Sequence, residues 1–217
     1  MTQIVLTTHM LTADFTLYLA TDRLLLGTRR LEDVLEAAIA AGVTLVQWRD
    51  KNTDLRTSHA DAKRALAVTR RLGVPLIIND RLDLMLALDA DGCHLGRGDL
   101  PLEAARRLAP RKILGYSVNQ PEHLAYAESA GADYVGLGPA FRTSTKADTG
   151  PVLGPDGIRH LAALARVPCV AIGGITVANV AELRGTGIAG VCVISAVLGA
   201  ADVGTPVREL RAVFGAD

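Results

Sequence analysis

The feature that most restricts how this chain can fold is a repeated switch between two hydrophobic periods. RRLEDVLEAAIAAG carries Leu31, Val34, Leu35, Ala38 and Ile39 at helical spacing, so it predicts an amphipathic helix ended by Gly42. TLVQW follows at once as a short β-rich apolar run. Asp54 is placed to cap a second helix that stops near Gly73, and Pro75 opens LIIN. The same alternation returns with GCHL, KILGY, DYVGL, CVAIG and GVCVIS. With LYLA near the start there are eight predicted strands, centred near Leu19, Val46, Ile77, His94, Leu114, Val135, Ala171 and Val193. Strands that are continuously apolar are buried on both faces and belong to a parallel sheet. Eight strand–helix units in 217 residues average about 27 residues each, close to a minimal (β/α)8 barrel.

An internal echo supports closure. ADGCHLG and ADYVGLG align Asp91 with Asp133, and AGADYVGLG and TGIAGVCVI align Gly131 with Gly187. Offsets of 42 residues (133 − 91) and 56 residues (187 − 131) are near two units, as expected if alternate strands hold equivalent places in a barrel. An open doubly wound sheet usually carries GxGxxG after its first strand, and LYLATDR has none. The expectation is one α/β domain over residues 1–217, a single TIM barrel, with residues 1–13 as an N-terminal extension.

Composition removes several classes of function. Lys plus Arg equals Asp plus Glu at 23 each, so no bulk positive field draws nucleic acid, and any anion needs a local cluster. Aromatics at 4% leave few platforms for stacking bases. Cys93, Cys169 and Cys192 form no CxxC pair and sit in apolar runs, which reads as three buried free thiols and fits a reducing cytoplasm. His9 and Asp14 interrupt any signal-peptide core, and the uncharged run from Gly185 to Ala201 is shorter than the ~20 residues a bilayer requires. The expected partners are small molecules, neither nucleic acid nor membrane; oligomeric state is not readable.

In such barrels the active site lies at the C-terminal ends of the strands. Gln47, Arg49 and Lys51 follow strand two, Asn79 and Asp80 strand three, Asp99 strand four and Ser117 strand five. Strand six is followed by GPAFRTSTKADTG, strand seven ends in Gly173 and Gly174, and strand eight in Ile194 and Ser195. Taken singly, Asp80 and Asp99 read as helix caps, and Arg49, Lys51 and Lys146 as solvated charges. Together they read differently. Two carboxylates on adjacent strand ends can share Mg²⁺, which takes one or two carboxylates plus phosphate oxygens. Arg49, Lys51 and Lys146 would neutralise the same phosphates. The glycine turn and the short helix after strand eight match the usual phosphate site of this fold. Two phosphate sites on one rim imply two phosphorylated substrates. Of the five histidines only His94 falls on a strand, where it reads as a packed, hydrogen-bonded barrel residue. With no nucleophile–base pairing in view, the chemistry leans on electrostatics.

VQWRDK, INDRLDLMLALDADGCHLGRGDLP, GYSV, AGADYVGLGPAFRTSTKADTGPVLG, AIGGIT and GVCVISA resemble, in order and spacing, the segments of the thiamine-phosphate synthase family. The resemblance runs from LYLATDR to the last strand. It implies transfer of a pyrimidine-methyl group from its pyrophosphate to the nitrogen of a thiazole phosphate, with Mg²⁺, giving thiamine phosphate and pyrophosphate in thiamine biosynthesis. It further implies Asp80 and Asp99 as Mg²⁺ ligands, and Gln47, Arg49, Lys51, Asn79, Ser117 and Lys146 as pyrimidine-pyrophosphate contacts. Among these, Arg49, Lys51, Ser117 and Lys146 would carry catalysis. Thr143, Ser144, Thr145, Gly174, Ile194 and Ser195 would hold the thiazole phosphate.

Trp48, Arg97-Gly98, Arg142 and Asn119 depart from the family's pattern without removing a principal ligand. Trp48 stands for an aliphatic residue, and Gly98 for an acid beside Asp99. A thiazole tautomerase on the same scaffold is the nearest rival, but that branch uses a His at the position of Asn119, and Asn is no base near neutral pH. A non-catalytic phospholigand sensor would be expected to lose metal or pyrophosphate residues, and none is lost.

Overall fold

The computed structural model describes residues 13–51, 53–143 and 150–214. The chain alternates in the order β1 (Leu17–Ala20), α1 (Arg23–Leu26), α2 (Leu31–Ala41), β2 (Leu45–Trp48), α3 (Leu55–Arg71), β3 (Leu76–Asn79), α4 (Leu82–Leu88) and β4 (Gly92–Leu95). It continues with α5 (Leu102–Leu108), β5 (Ile113–Val118), α6 (Pro121–Ser129), β6 (Tyr134–Leu137), α7 (Gly154–Leu164) and β7 (Cys169–Ile172). A 3-10 turn (Val180–Leu183), β8 (Gly190–Val193), α8 (Ser195–Leu198) and α9 (Gly204–Phe214) complete it. The strands form a closed barrel in sequence order, every pairing parallel, with β1 joined to β8 through Leu17↔Val191. All eight predicted strands are present, and the fold is a single (β/α)8 barrel. Among the described residues no helix is long and apolar enough to cross a membrane.

The local signals act as the sequence predicts. Gly42 ends α2 at φ 123°, where a side chain is strained, and donates to the Ala38 and Ile39 carbonyls. Asp54 caps α3 by accepting from the Thr57 N–H. The internal echo has a physical cause. Asp91 and Asp133 each precede an even-numbered strand, and each side chain accepts from an N–H at the start of the strand before it, Leu76 N at 2.8 Å and Leu114 N at 2.7 Å. Thr44, preceding β2, does the same for Leu17 N at 3.0 Å. Gly131 and Gly187 share positive φ, 89° and 84°. The echo therefore marks repeated closures of the barrel's N-terminal end.

The core divides in two. Phe15, Tyr18, Leu45, Ile77, Ile113, Tyr134, Val170 and Cys192 fill the barrel interior. A larger shell packs strands against helices, and Trp48 belongs to it, buried with its indole N–H donating to Ser58 Oγ at 3.2 Å. The three cysteines are free and buried.

Candidate active site

At the C-terminal ends of the strands lies a cavity of about 650 Å³. Gln47, Arg49, Lys51, Asn79, Asp80, Asp99, Ser117, Thr143, Gly174, Ile194 and Ser195 all line it. Ser144, Thr145 and Lys146 lie outside the described residues. Gln47, Asn79 and Ser117 stand on the strands themselves, β5 running on through Ser117 to Val118, and this gives them stiffer support than a loop would.

The cationic side is tightly held. Arg49 donates its N–H to Thr21 Oγ1 at 2.9 Å and its Nη1 to Asp22 Oδ2 at 2.8 Å. Asp22 uses its other oxygen to cap α1 through the N–H groups of Leu24 and Leu25. One carboxylate thus starts a helix and aims an arginine, with both side chains under one-fifth exposed. Lys51 Nζ reaches Asp80 Oδ2 at 2.6 Å.

Neither acid caps a helix, although capping is the ordinary reading of each alone. Position N-cap of α4 falls to Arg81 and that of α5 to Pro101, neither with a side-chain cap. Asp80 instead sits at φ 63°, a left-handed conformation that costs most residues energy and recurs at functional sites. Its N–H donates to the His94 carbonyl at 2.8 Å, which fixes the turn off β3. Asp99 accepts from the Gly96 N–H at 2.6 Å and donates its own N–H back to the Gly96 carbonyl, closing a four-residue turn off β4. Burial works to raise the Asp80 carboxyl, yet the Lys51 ammonium holds it below the ordinary aspartate range. Burial pushes the Asp99 carboxyl up, and the neighbouring Asp80 charge adds to this against the Gly96 N–H. Two acids this close repel one another when both are ionised, and a cation between them relieves that.

On the far side of the cavity, Gly173 and Gly174 turn at φ 97° and 67°. A Cβ on Gly174 would lie 2.4 Å from the Arg142 carbonyl oxygen, so close approach as well as dihedral angle requires glycine here. Asn179 braces the turn, donating Nδ2 to the Gly174 carbonyl at 2.9 Å while accepting from Thr176 N at 2.8 Å. Helix α8 begins at Ser195 without a side-chain cap, its first turn facing the same cavity. Arg29 anchors its other end, bonding the carbonyls of Leu198 and Ala200 and those of Leu25 and Leu26.

Sequence reasoning missed Asp22, which acts on Arg49 27 residues away, Asn179, which acts within its own loop, and Tyr18 and Tyr134, which read as ordinary strand residues. His94, read as a packed barrel residue, is hydrogen-bonded as expected, and its partners are Tyr134 Oη at 2.9 Å and Ser117 Oγ at 3.0 Å. A signal was present: glycines at 115 and 136 interrupt two strands, and a Cβ on Gly115 would collide with Tyr134 and His94. The departures are accommodated. Trp48 packs outward, while Arg97, Gly98 and Asn119 line the cavity.

A closed barrel with a charged cavity at its strand ends has the architecture of the (β/α)8-barrel enzymes, whose active sites lie at that face. Comparison with known proteins narrows the class. The family profile for thiamine monophosphate synthase matches residues 17–197, and the chain belongs to that family. A thiamine-phosphate synthase of Syntrophomonas wolfei is 45% identical over 206 residues, covering 94% of this chain and 99% of the relative. One from Chloroflexus aurantiacus is 45% identical over 200 residues, covering 92% and 93%. The solved thiamine phosphate pyrophosphorylase of Pyrococcus furiosus superposes with a TM-score of 0.86 at 38% identity, covering 94% of this chain and 97% of that one.

Proposed function

We propose that the protein is a Mg²⁺-dependent thiamine-phosphate synthase, transferring a 4-amino-2-methylpyrimidine-5-methyl group from its pyrophosphate to the nitrogen of a thiazole phosphate. The observation that carries this reading is one cavity bearing the acid pair with Arg49 and Lys51 at one side and the Gly173–Gly174 turn with the start of α8 at the other. The named relatives and the family point the same way.

The acid pair fits a hard dication by its chemistry. Asp80 and Asp99 offer carboxylate oxygens only, and among the described residues no third acid, His or Cys joins them, as suits an ion that completes its shell from substrate oxygens. Mg²⁺ held there would supply charge neutralisation for the pyrophosphate leaving group.

The chain's own residues account for the rest. Arg49, pre-aimed by Asp22, and Lys51 stabilise charge growing on the pyrophosphate oxygens as the carbon–oxygen bond breaks and its electron pair leaves with the phosphate. Lys146 is assigned the same role from its place in the sequence motif. Gln47, Asn79 and Ser117 orient the pyrimidine pyrophosphate from strand positions. Gly174, Ile194 and Ser195, with Thr143 to Thr145, hold the thiazole phosphate through backbone N–H groups and hydroxyls. The thiazole nitrogen already carries a lone pair, so the new carbon–nitrogen bond forms without a general base. The position where a tautomerase would need a base holds Asn119, which lines the cavity and cannot serve at neutral pH.

The test is ³¹P NMR of purified protein with Mg²⁺ and both substrates. Pyrophosphate and thiamine phosphate should rise together and only when both substrates are present. A wild type that produces neither, with the carboxylated or the plain thiazole phosphate, overturns the reading.

A further inference from the structure

Inside the barrel, one continuous chain of side-chain hydrogen bonds joins two residues on opposite walls of the cavity. Gln47 Nε2 donates to Tyr18 Oη at 2.7 Å, Tyr18 Oη meets Tyr134 Oη at 3.0 Å, Tyr134 Oη meets His94 Nδ1 at 2.9 Å, and His94 Nε2 meets Ser117 Oγ at 3.0 Å. Four strands contribute besides β2: Tyr18 from β1, His94 from β4, Ser117 from β5 and Tyr134 from β6. Room for the chain is made by glycine. A Cβ on Gly115 would stand 2.2 Å from Tyr134 Cζ and 2.5 Å from His94 Nδ1.

The bonds have a direction. Tyr18 and Tyr134 are buried, so a hydroxyl proton there must find an acceptor within the protein. Gln47 donates to Tyr18, which leaves Tyr134 as the acceptor for the Tyr18 proton. Tyr134 then donates its own hydroxyl hydrogen bond to His94 Nδ1, and the imidazole carries its hydrogen on Nε2. Ser117 Oγ accepts that hydrogen. Its own hydroxyl proton is thereby freed to point into the cavity. An imidazole protonated on Nδ1 would be a donor to Tyr134 and no acceptor for it, leaving one of the two buried tyrosine hydroxyl protons without a partner.

We infer that His94 is a positioning residue: the chain Gln47–Tyr18–Tyr134–His94 fixes Ser117 Oγ as a hydrogen-bond donor toward a substrate anion or ring nitrogen. The inference rests on the synthase reading only for the identity of that substrate. It assigns one direction to every proton in the chain, and no proton is transferred in it.

The test reads the imidazole directly. Long-range ¹H–¹⁵N correlation of the full-length wild type, with His94 assigned by comparison with His94→Asn, should show a neutral ring protonated on Nε2. A ring protonated on Nδ1 overturns the direction and with it the role of Ser117 as donor. Steady-state kinetics supply the second reading. His94→Asn keeps an acceptor for Tyr134 but removes the donor to Ser117, and it should lower kcat/KM for the pyrimidine pyrophosphate roughly three- to tenfold, the worth of one ordinary hydrogen bond. His94→Gln, which restores an N–H near Nε2, should recover most of the loss. In the Ser117→Ala background, His94→Asn should cost nothing further; full additivity of the two losses overturns the coupling. The NMR readout needs no substrate, so a wild type with an Nε2–H ring that makes no thiamine phosphate would refute the function and leave the relay standing.

Discussion

Gly174→Ala isolates the thiazole-phosphate side of the cavity. Gly174 has φ 67°, and an added Cβ meets Arg142 O at 2.4 Å and Phe141 O at 2.8 Å. The left-handed dihedral alone costs about 1–2 kcal/mol for a residue with a Cβ. The contact with Arg142 is about 1 Å inside ordinary van der Waals separation, and both obstructing atoms are backbone, which cannot rotate away. The turn must therefore shift, straining the 2.9 Å bond from Asn179 to the Gly174 carbonyl. A loss of about 2 kcal/mol at the phosphate site corresponds to about a thirtyfold fall in kcat/KM for the thiazole phosphate. The same energy expressed in the fold would lower Tm by roughly 4–8 °C for a chain of this size. The pyrimidine-pyrophosphate KM should stay within about twofold, since Gly174 lies on the opposite side of the cavity from Arg49 and Lys51. Gly185→Ala is the control: φ is also 67°, but nothing lies within 4 Å of the added Cβ. It should cost stability alone. Varying each substrate in turn in the coupled pyrophosphate-release assay decides the matter. Equal losses for both substrates, or no loss for the thiazole phosphate, would refute the assignment of this turn.

Lys146→Ala should slow turnover at least tenfold at saturating substrates while leaving the melting temperature within about 1 °C, as expected for a charge used on the leaving group; a normal kcat contradicts it. Trp48→Ala should lower stability by about 3–5 kcal/mol, because a buried indole and its bond to Ser58 are lost from the strand–helix shell; urea denaturation followed by far-UV circular dichroism measures it. Burial pushes the Cys192 thiol up to about 12 and the Cys169 thiol up to about 11, with Cys93 also raised. At pH 8 the folded protein should therefore be nearly inert to a thiol-specific disulfide reagent, and all 3 cysteines should react once it is unfolded.

The barrel was legible because its strands are buried on both faces, so each reads as an unbroken apolar run between helical stretches. LYLA, LIIN and CVAIG became β1, β3 and β7 with ends close to those expected. The echo of Asp91 with Asp133 was visible as a pattern, but its cause was not, since that lies in bonds to Leu76 N and Leu114 N on neighbouring strands. The rim residues were legible because the fold dictates which strand end to inspect. Asp80 and Asp99 illustrate the limit. A junction acid before a helix ordinarily caps it, and only the φ of 63° at Asp80 and the closed turn at Asp99 show that neither does. The links of the interior hydrogen-bond chain were only partly legible, for another reason. Tyr18, Gln47, His94 and Tyr134 point inward within strands whose other faces are equally buried, so no alternation of polarity exposes them. The Arg49–Asp22 pair, 27 residues apart, forms only once β1 and β2 are side by side.

Whether Asp80 and Asp99 with Arg49 and Lys51 form a magnesium–pyrophosphate site can be read from calorimetric titration of pyrophosphate into the wild type and Asp99→Asn, with and without Mg²⁺. Wild-type binding should strengthen at least tenfold with Mg²⁺, and Asp99→Asn should lose most of that gain. Because burial and Asp80 raise the Asp99 carboxyl, the Mg²⁺-dependent gain should also fade as pH drops toward the carboxylate range, beginning above the pH at which an ordinary aspartate protonates. Pyrophosphate binding of equal strength with and without Mg²⁺, or a gain that survives in Asp99→Asn, would contradict that site.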